Sequence, residues 1–219
     1  MFRAMARADA LSALHPIAAE QGGLVSAAQV VLAGVTRNQL SDLAADGDLR
    51  HLRRGVYGLG PAQTDDELED IASAWLAIAG RRLPGQRSGA PDAVVSHASA
   101  AQLLGIGTLV PDLAELTQAR QRSRRTDMVI HPARLGSDDW AWCQIGSGMH
   151  LPVTTPARTI VDLLLAGEEL GAVERALHQA FADPAAARPE LLAALSRRRK
   201  PGAKQQAWAE RTLTDMTGG

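Results

Sequence analysis

Aromatic residues are scarce, at 3% of the 219 residues, so a core has to be assembled from Leu, Val, Ile and Ala. A single cysteine, Cys143, excludes an intramolecular disulfide framework and fits a reducing compartment. No run approaches the roughly 18 apolar residues that cross a bilayer, and the opening MFRAMARADALSALHP lacks the apolar core of a secretory signal. The expectation is a cytoplasmic protein without a membrane partner. Charge of one sign is also missing in bulk: the net charge is −1, so any binding to a polyanion has to be local. The charges are segregated, however. Asp65, Asp66, Glu67, Glu69 and Asp70 form one acidic cluster, and basic clusters occur at Arg50, Arg53 and Arg54, at Arg120, Arg122, Arg124 and Arg125, and from Arg197 to Lys200.

Signatures of catalysis are absent as well. There is no glycine-rich phosphate loop, HExxH, CxxC or GxSxG. Cys143, His97, His131 and His150 are separated by long, irregular intervals without ligand spacing. Ser96 and His97 with a distant Asp make no more of a triad than any chain of this size contains by chance. The expectation is a protein with no catalytic residue, no metal and no cofactor.

What is present is punctuation. Leu11, Leu14, Ile17 and Ala18 trace one apolar helical stripe that ends at Gly22-Gly23. Ser26 followed by Gln29 is a capping box, in which the serine oxygen accepts an orphan backbone N–H and the glutamine reaches back. The helix it opens carries Val30, Val31 and Leu32 and closes at Gly34, where a residue without Cβ can turn left-handed. Thr36 and Gln39 repeat the box, opening a third helix that buries Leu40 and Leu43 and presents Arg37, Asn38, Ser41 and Asp42 outward. Two short capped helices joined by a glycine turn make a helix-turn-helix.

Behind it, residues 49–52 read as a strand, Arg53-Arg54-Gly55 as a tight turn and residues 56–59 as the return strand, a wing with arginines at its tip. A reader of double-stranded DNA needs one element in the major groove and cations beside it on the phosphates. Arg37 and Asn38 have the side chains that pair with guanine and adenine edges. Arg50, Arg53 and Arg54 are expected to hold the backbone, with Ser26, Thr36, Gln39 and Ser41 as neutral contacts. Asp42, Asp46 and Asp48 lie beside this face, and they keep open a reading in which the third helix meets protein instead.

An amphipathic helix with an acidic first turn follows over residues 64–79, then the Gly-, Pro- and Arg-rich stretch RRLPGQRSGAPD as the most flexible part of the chain. Strands are expected at 93–96, 113–119, 128–131, 140–145 and 149–153, and helices at 98–104, from Thr155-Pro156 onward, and at 170–181, 189–195 and 203–216. The expected fold class is α+β: an N-terminal winged helix-turn-helix in residues 1–80, then a mixed α+β domain with a helical C-terminal end in residues 81–219.

The segment GLVSAAQVVLAGVTRNQLSDLAADGDLRHLRRGVYGL closely resembles the N-terminal winged helix of AbiEi-type antitoxins of type IV toxin–antitoxin, or abortive-infection, systems. VSHASAAQLLGIG, the strand ending VIHPARL with Asp138-Asp139 after it, and LPVTTPARTIVDLL look like successive elements of the AbiEi C-terminal antitoxin domain, so the likeness spans about Leu11 to Phe181. The resemblance implies an autorepressor that binds operator repeats in its own promoter and counters a nucleotidyltransferase-like toxin encoded beside it. It assigns no residue to toxin contact. Two alternatives stand beside it, a stand-alone winged-helix regulator without a toxin and a nuclease-related enzyme. The second is disfavoured because nothing after KQQAWAERTLTDM supplies the carboxylates and lysine of metal-dependent phosphodiester cleavage, and Glu210 alone is not a site.

Overall fold

The computed structural model describes residues 6–87, 89–119, 125–146, 148–198 and 202–218. Arg120, Arg122, Arg124, Arg199 and Lys200 of the basic clusters lie outside the described residues. The chain divides into two compact units. One runs to Ala93 and takes in Cys143–Leu151; the other comprises Val94–Trp142 and the chain from Pro152 onward. Both are mixed α+β, the first built as a winged helix-turn-helix and the second ending in helices.

The first unit begins with α1 (Arg7–Ala19), whose Ala10, Leu14 and Ala18 recur every four residues and are buried. Gly22 and Gly23, at φ 62° and 86°, reverse the chain into β1 (Leu24–Ser26), a strand without a counterpart in the sequence expectation. Helix α2 (Ala27–Leu32) opens with the Ser26–Gln29 capping box. It ends in a Schellman turn, with Gly34 at φ 85°, its N–H donating to Val31 and that of Val35 to Val30. The apolar residues Val30, Val31 and Leu32 of this helix divide between core and surface. Val31 and Leu32 are exposed, and Val30 and Val35 supply the core contacts instead. Helix α3 (Arg37–Ala45) opens with the Thr36–Gln39 box and buries Leu40 and Leu43.

Strands β2 (Leu49–Arg53) and β3 (Val56–Leu59) complete an antiparallel sheet of order β1-β3-β2. The pairing is irregular between His51 and Arg53. Residues 50 and 53 would sit on opposite faces of a regular strand, whereas one extra residue brings both to the same face. That face meets α4 (Asp66–Ala79), whose N-cap Asp65 accepts from the Leu68 N–H at 2.7 Å. Unit one continues past α4 to Ala93, whose carbonyl accepts from the Trp75 indole N–H at 2.9 Å. In the stretch expected to be most flexible, Arg87 lies 4.7 Å over the Trp75 ring and donates to Gln21.

The second unit carries strands β4 (Val94–Val95), β5 (Glu115–Gln118) and β6 (Val129–Pro132), with β7 (Trp140–Ile145) and β8 (Met149–Thr154) completing the sheet order β6-β5-β4-β8-β7. Helix α5 (His97–Leu104) follows β4, and α6 (Pro156–Ala166) follows β8. Helix α6 is buried on every side from Ala157 to Leu164, which makes it the hub of a core it shares with α7 (Leu170–Ala180), α8 (Pro184–Arg197) and α9 (Ala203–Met216).

Candidate nucleic-acid interface

The capping box of α3 aims its first turn. Thr36 Oγ1 accepts from the Gln39 N–H at 3.3 Å, while Gln39 Oε1 accepts from the Thr36 N–H at 2.9 Å. With the backbone fixed this way, Arg37 and Asn38 stand exposed, and their side chains make no hydrogen bond or ion pair to the described residues. Ser41, also exposed, returns its hydroxyl to the Arg37 carbonyl at 3.1 Å. The acidic neighbours are partly answered. Arg7 grips Asp48 with Nε at 2.6 Å and Nη2 at 2.8 Å, and its Nη1 lies 3.2 Å from Asp46. This arginine was not among the residues singled out from the sequence, because its partners are about forty positions away.

The wing differs from expectation. Of its three arginines only Arg54, beside Gly55 at φ 79°, stands exposed at the turn. Arg53 belongs to β2 and is buried, with Nε donating to Ser73 Oγ at 2.8 Å and Nη2 bonded to Asp70. Arg50 makes a bidentate pair with Glu69, at 2.6 and 3.0 Å, and donates from Nε to the Gly60 carbonyl at 2.8 Å. Ser26 is buried too, and beyond its cap its hydroxyl bonds the Gly80 carbonyl. Arg50, Arg53 and Ser26 therefore serve the fold. The bulge turns two arginines onto the acidic first turns of α4, a pairing that a strand read at period two conceals.

The second unit holds a buried polar constellation that spacing did not signal. Arg158, on α6, is fully buried; its Nε donates to Asp162 at 2.9 Å and its Nη1 lies 3.2 Å from Asp139. Arg197 donates to Asp139 at 2.8 Å, and Arg198 lies 3.1 Å from Asp162. Nearby His97, Glu115 and His131 bring one ligand-type atom each within 4.8 Å of one another. Burial, reinforced by His131, Arg198 and Arg158, pushes His97 down to about 2, so the ring is neutral. Cys143 and His150 do not join this group; the irregular spacings in the sequence mark no ligand set, and no metal is expected from them.

Residues 13–60 match the family model described as transcriptional regulator, AbiEi antitoxin. The matched segment is similar to the winged helix of that family. The match ends one residue beyond β3, so it covers α2, α3, the wing and most of α1. The matched segment contains Arg37, Asn38 and Arg54. Along the whole chain, the fold is similar to that of the RV2827C protein from Mycobacterium tuberculosis, with a TM-score of 0.59 at 16% identity, covering 99% of this chain and 78% of that one. No curated protein matches the sequence. Among the described residues no helix is long and apolar enough to cross a membrane.

Proposed function

We propose that the chain is an antitoxin that represses its own operon by sequence-specific binding to operator repeats and counters a nucleotidyltransferase-like toxin encoded beside it. It acts in this reading by binding and not by catalysis. The observation that carries the DNA half is the pair Arg37 and Asn38, exposed and without internal partners in the first turn of a doubly capped helix. Arginine and asparagine at such a position can make bidentate contacts to guanine and adenine in the major groove. Arg54 adds a phosphate contact from the wing, and Thr36, Gln39 and Ser41 supply neutral ones. The toxin half rests on the AbiEi antitoxin match of the N-terminal segment and on the likeness of the later motifs.

The test is binding of the full chain to its own upstream region, alongside growth on co-expression with the adjacent gene. Arg37→Ala or Asn38→Ala is expected to cost about 1–3 kcal/mol of operator affinity and to relax sequence preference. Absence of binding at low salt would make the third helix a protein-contacting surface. Absence of growth rescue with operator binding intact would leave a stand-alone regulator.

A further inference from the structure

We infer that His97, Glu115 and His131 form a binding site for a divalent transition-metal ion, with zinc the best match to two imidazoles and one carboxylate. The site goes beyond the DNA-binding reading and lies wholly in the second unit. It is assembled by strand pairing. Thr117 of β5 pairs with His131 of β6 in parallel register, Glu115 lies two residues back on the same face of β5, and His97 begins α5 just beyond β4.

Each donor is held in a way that suits a ligand. His97 Nδ1 lies 2.9 Å from Ser96 Oγ, which itself accepts from the Thr117 hydroxyl at 2.8 Å. In the tautomer whose Nδ1–H donates to Ser96 Oγ, this bond fixes the ring and leaves Nε2 with the lone pair for a metal, as outer partners do around bound metals. Glu115 commits Oε2 to the Ala98 N–H at 2.9 Å, which leaves Oε1 pointing toward His131. His131 Nε2 is buried, makes no hydrogen bond, and has Glu115 Oε1 as its nearest opposite group at 3.9 Å. An orphaned buried nitrogen calls for a ligand. His97 is also the one described non-glycine residue with positive φ, at 53°. Such a backbone is strained and persists where the surroundings impose it, as at functional sites.

Two features limit the affinity. The imidazoles are stacked, with centroids 3.5 Å apart and planes 15° from parallel, so capture requires the His131 ring, the more exposed of the two, to turn until both lone pairs converge. The nearby Arg158, Arg197 and Arg198 are paired with two carboxylates, Asp139 and Asp162, so the surroundings carry an excess positive charge that opposes the ion.

The experiment titrates chelator-stripped full chain with cobalt, read by visible d–d absorption, and then displaces it with zinc. A single saturable site per chain is expected, with affinity weakened roughly tenfold or more in His131→Ala and in Glu115→Gln, and unchanged in Cys143→Ser and His150→Ala. Glu115→Gln is close to isosteric and keeps an acceptor for Ala98, so it reports on the ion even if His131→Ala fails to fold. Lack of saturation up to about 1 mM cobalt, binding retained in the Glu115 variant, or binding lost with Cys143 or His150 would overturn the site.

Discussion

Arg53 and Arg54 are adjacent in sequence and opposite in role, and the difference is measurable. Arg53 has a side chain only 6% exposed and closes onto Ser73 and Asp70, so Arg53→Ala is expected to cost roughly 1–3 kcal/mol of stability through the lost hydrogen bonds to a charged group. Arg54→Ala is expected to leave the melting temperature unchanged, lower DNA affinity evenly across sequences, and reduce the salt slope by about one. A denaturation curve and a salt titration for each variant separate the two roles. His97 supplies a second prediction at this scale. Its folded pKa is depressed to about 2 from an ordinary 6.5, so the unfolded chain binds the extra proton. The stabilisation is complete above pH 6.5 and is lost as the pH falls toward the folded value. From pH 7 to pH 5 unfolding free energy should fall by about 1–2 kcal/mol on this account. His97→Asn, which tolerates positive φ, should flatten that slope. Comparing the two chains also isolates His97 from Asp162, whose carboxyl is raised by burial and whose linkage has the opposite sign.

Elements were legible in the sequence where a local signal creates them. Both capping boxes, the Gly34 turn, the acidic start of α4 and Pro156 at the head of α6 announce helix ends through residues no more than a few positions apart. The strands of the wing were legible for the same reason. What stayed hidden depends on pairing at a distance. The irregularity between His51 and Arg53 is a property of two strands together, so the inward turn of Arg53 could not be read from LRHLRR. Glu115 meets His131 only through the β5–β6 register, and β1 is too short to show a period. A capped element also makes a direct prediction. Thr36→Ala should destabilise the first unit by about 1 kcal/mol and, by loosening the turn that carries Arg37 and Asn38, weaken operator binding more than that loss of global stability explains. Amide exchange at Gln39 and a gel shift on the same protein would show it.

At the scale of the whole molecule, the two compact units do not follow a single cut in the chain. Residues 143–151 group with the first unit although the intervening Val94–Trp142 belongs to the second. A fragment ending at residue 80 would also remove Ala93, which accepts the Trp75 indole N–H, and Arg87, which covers the Trp75 ring. Growth rescue by fragments 1–80 and 81–219 would therefore confuse misfolding with loss of function. Point variants in the full chain avoid this. If repression and neutralisation reside in different surfaces, the double variant Arg37→Ala with Asn38→Ala should abolish repression of a promoter–reporter fusion while still rescuing growth against the neighbouring gene. The two side chains are exposed and unpartnered, so their removal should change the melting temperature by no more than about 0.5 kcal/mol would. Loss of rescue together with repression, in a protein of unchanged stability, would mean that the DNA-reading helix also takes part in neutralisation and that the two activities share one surface.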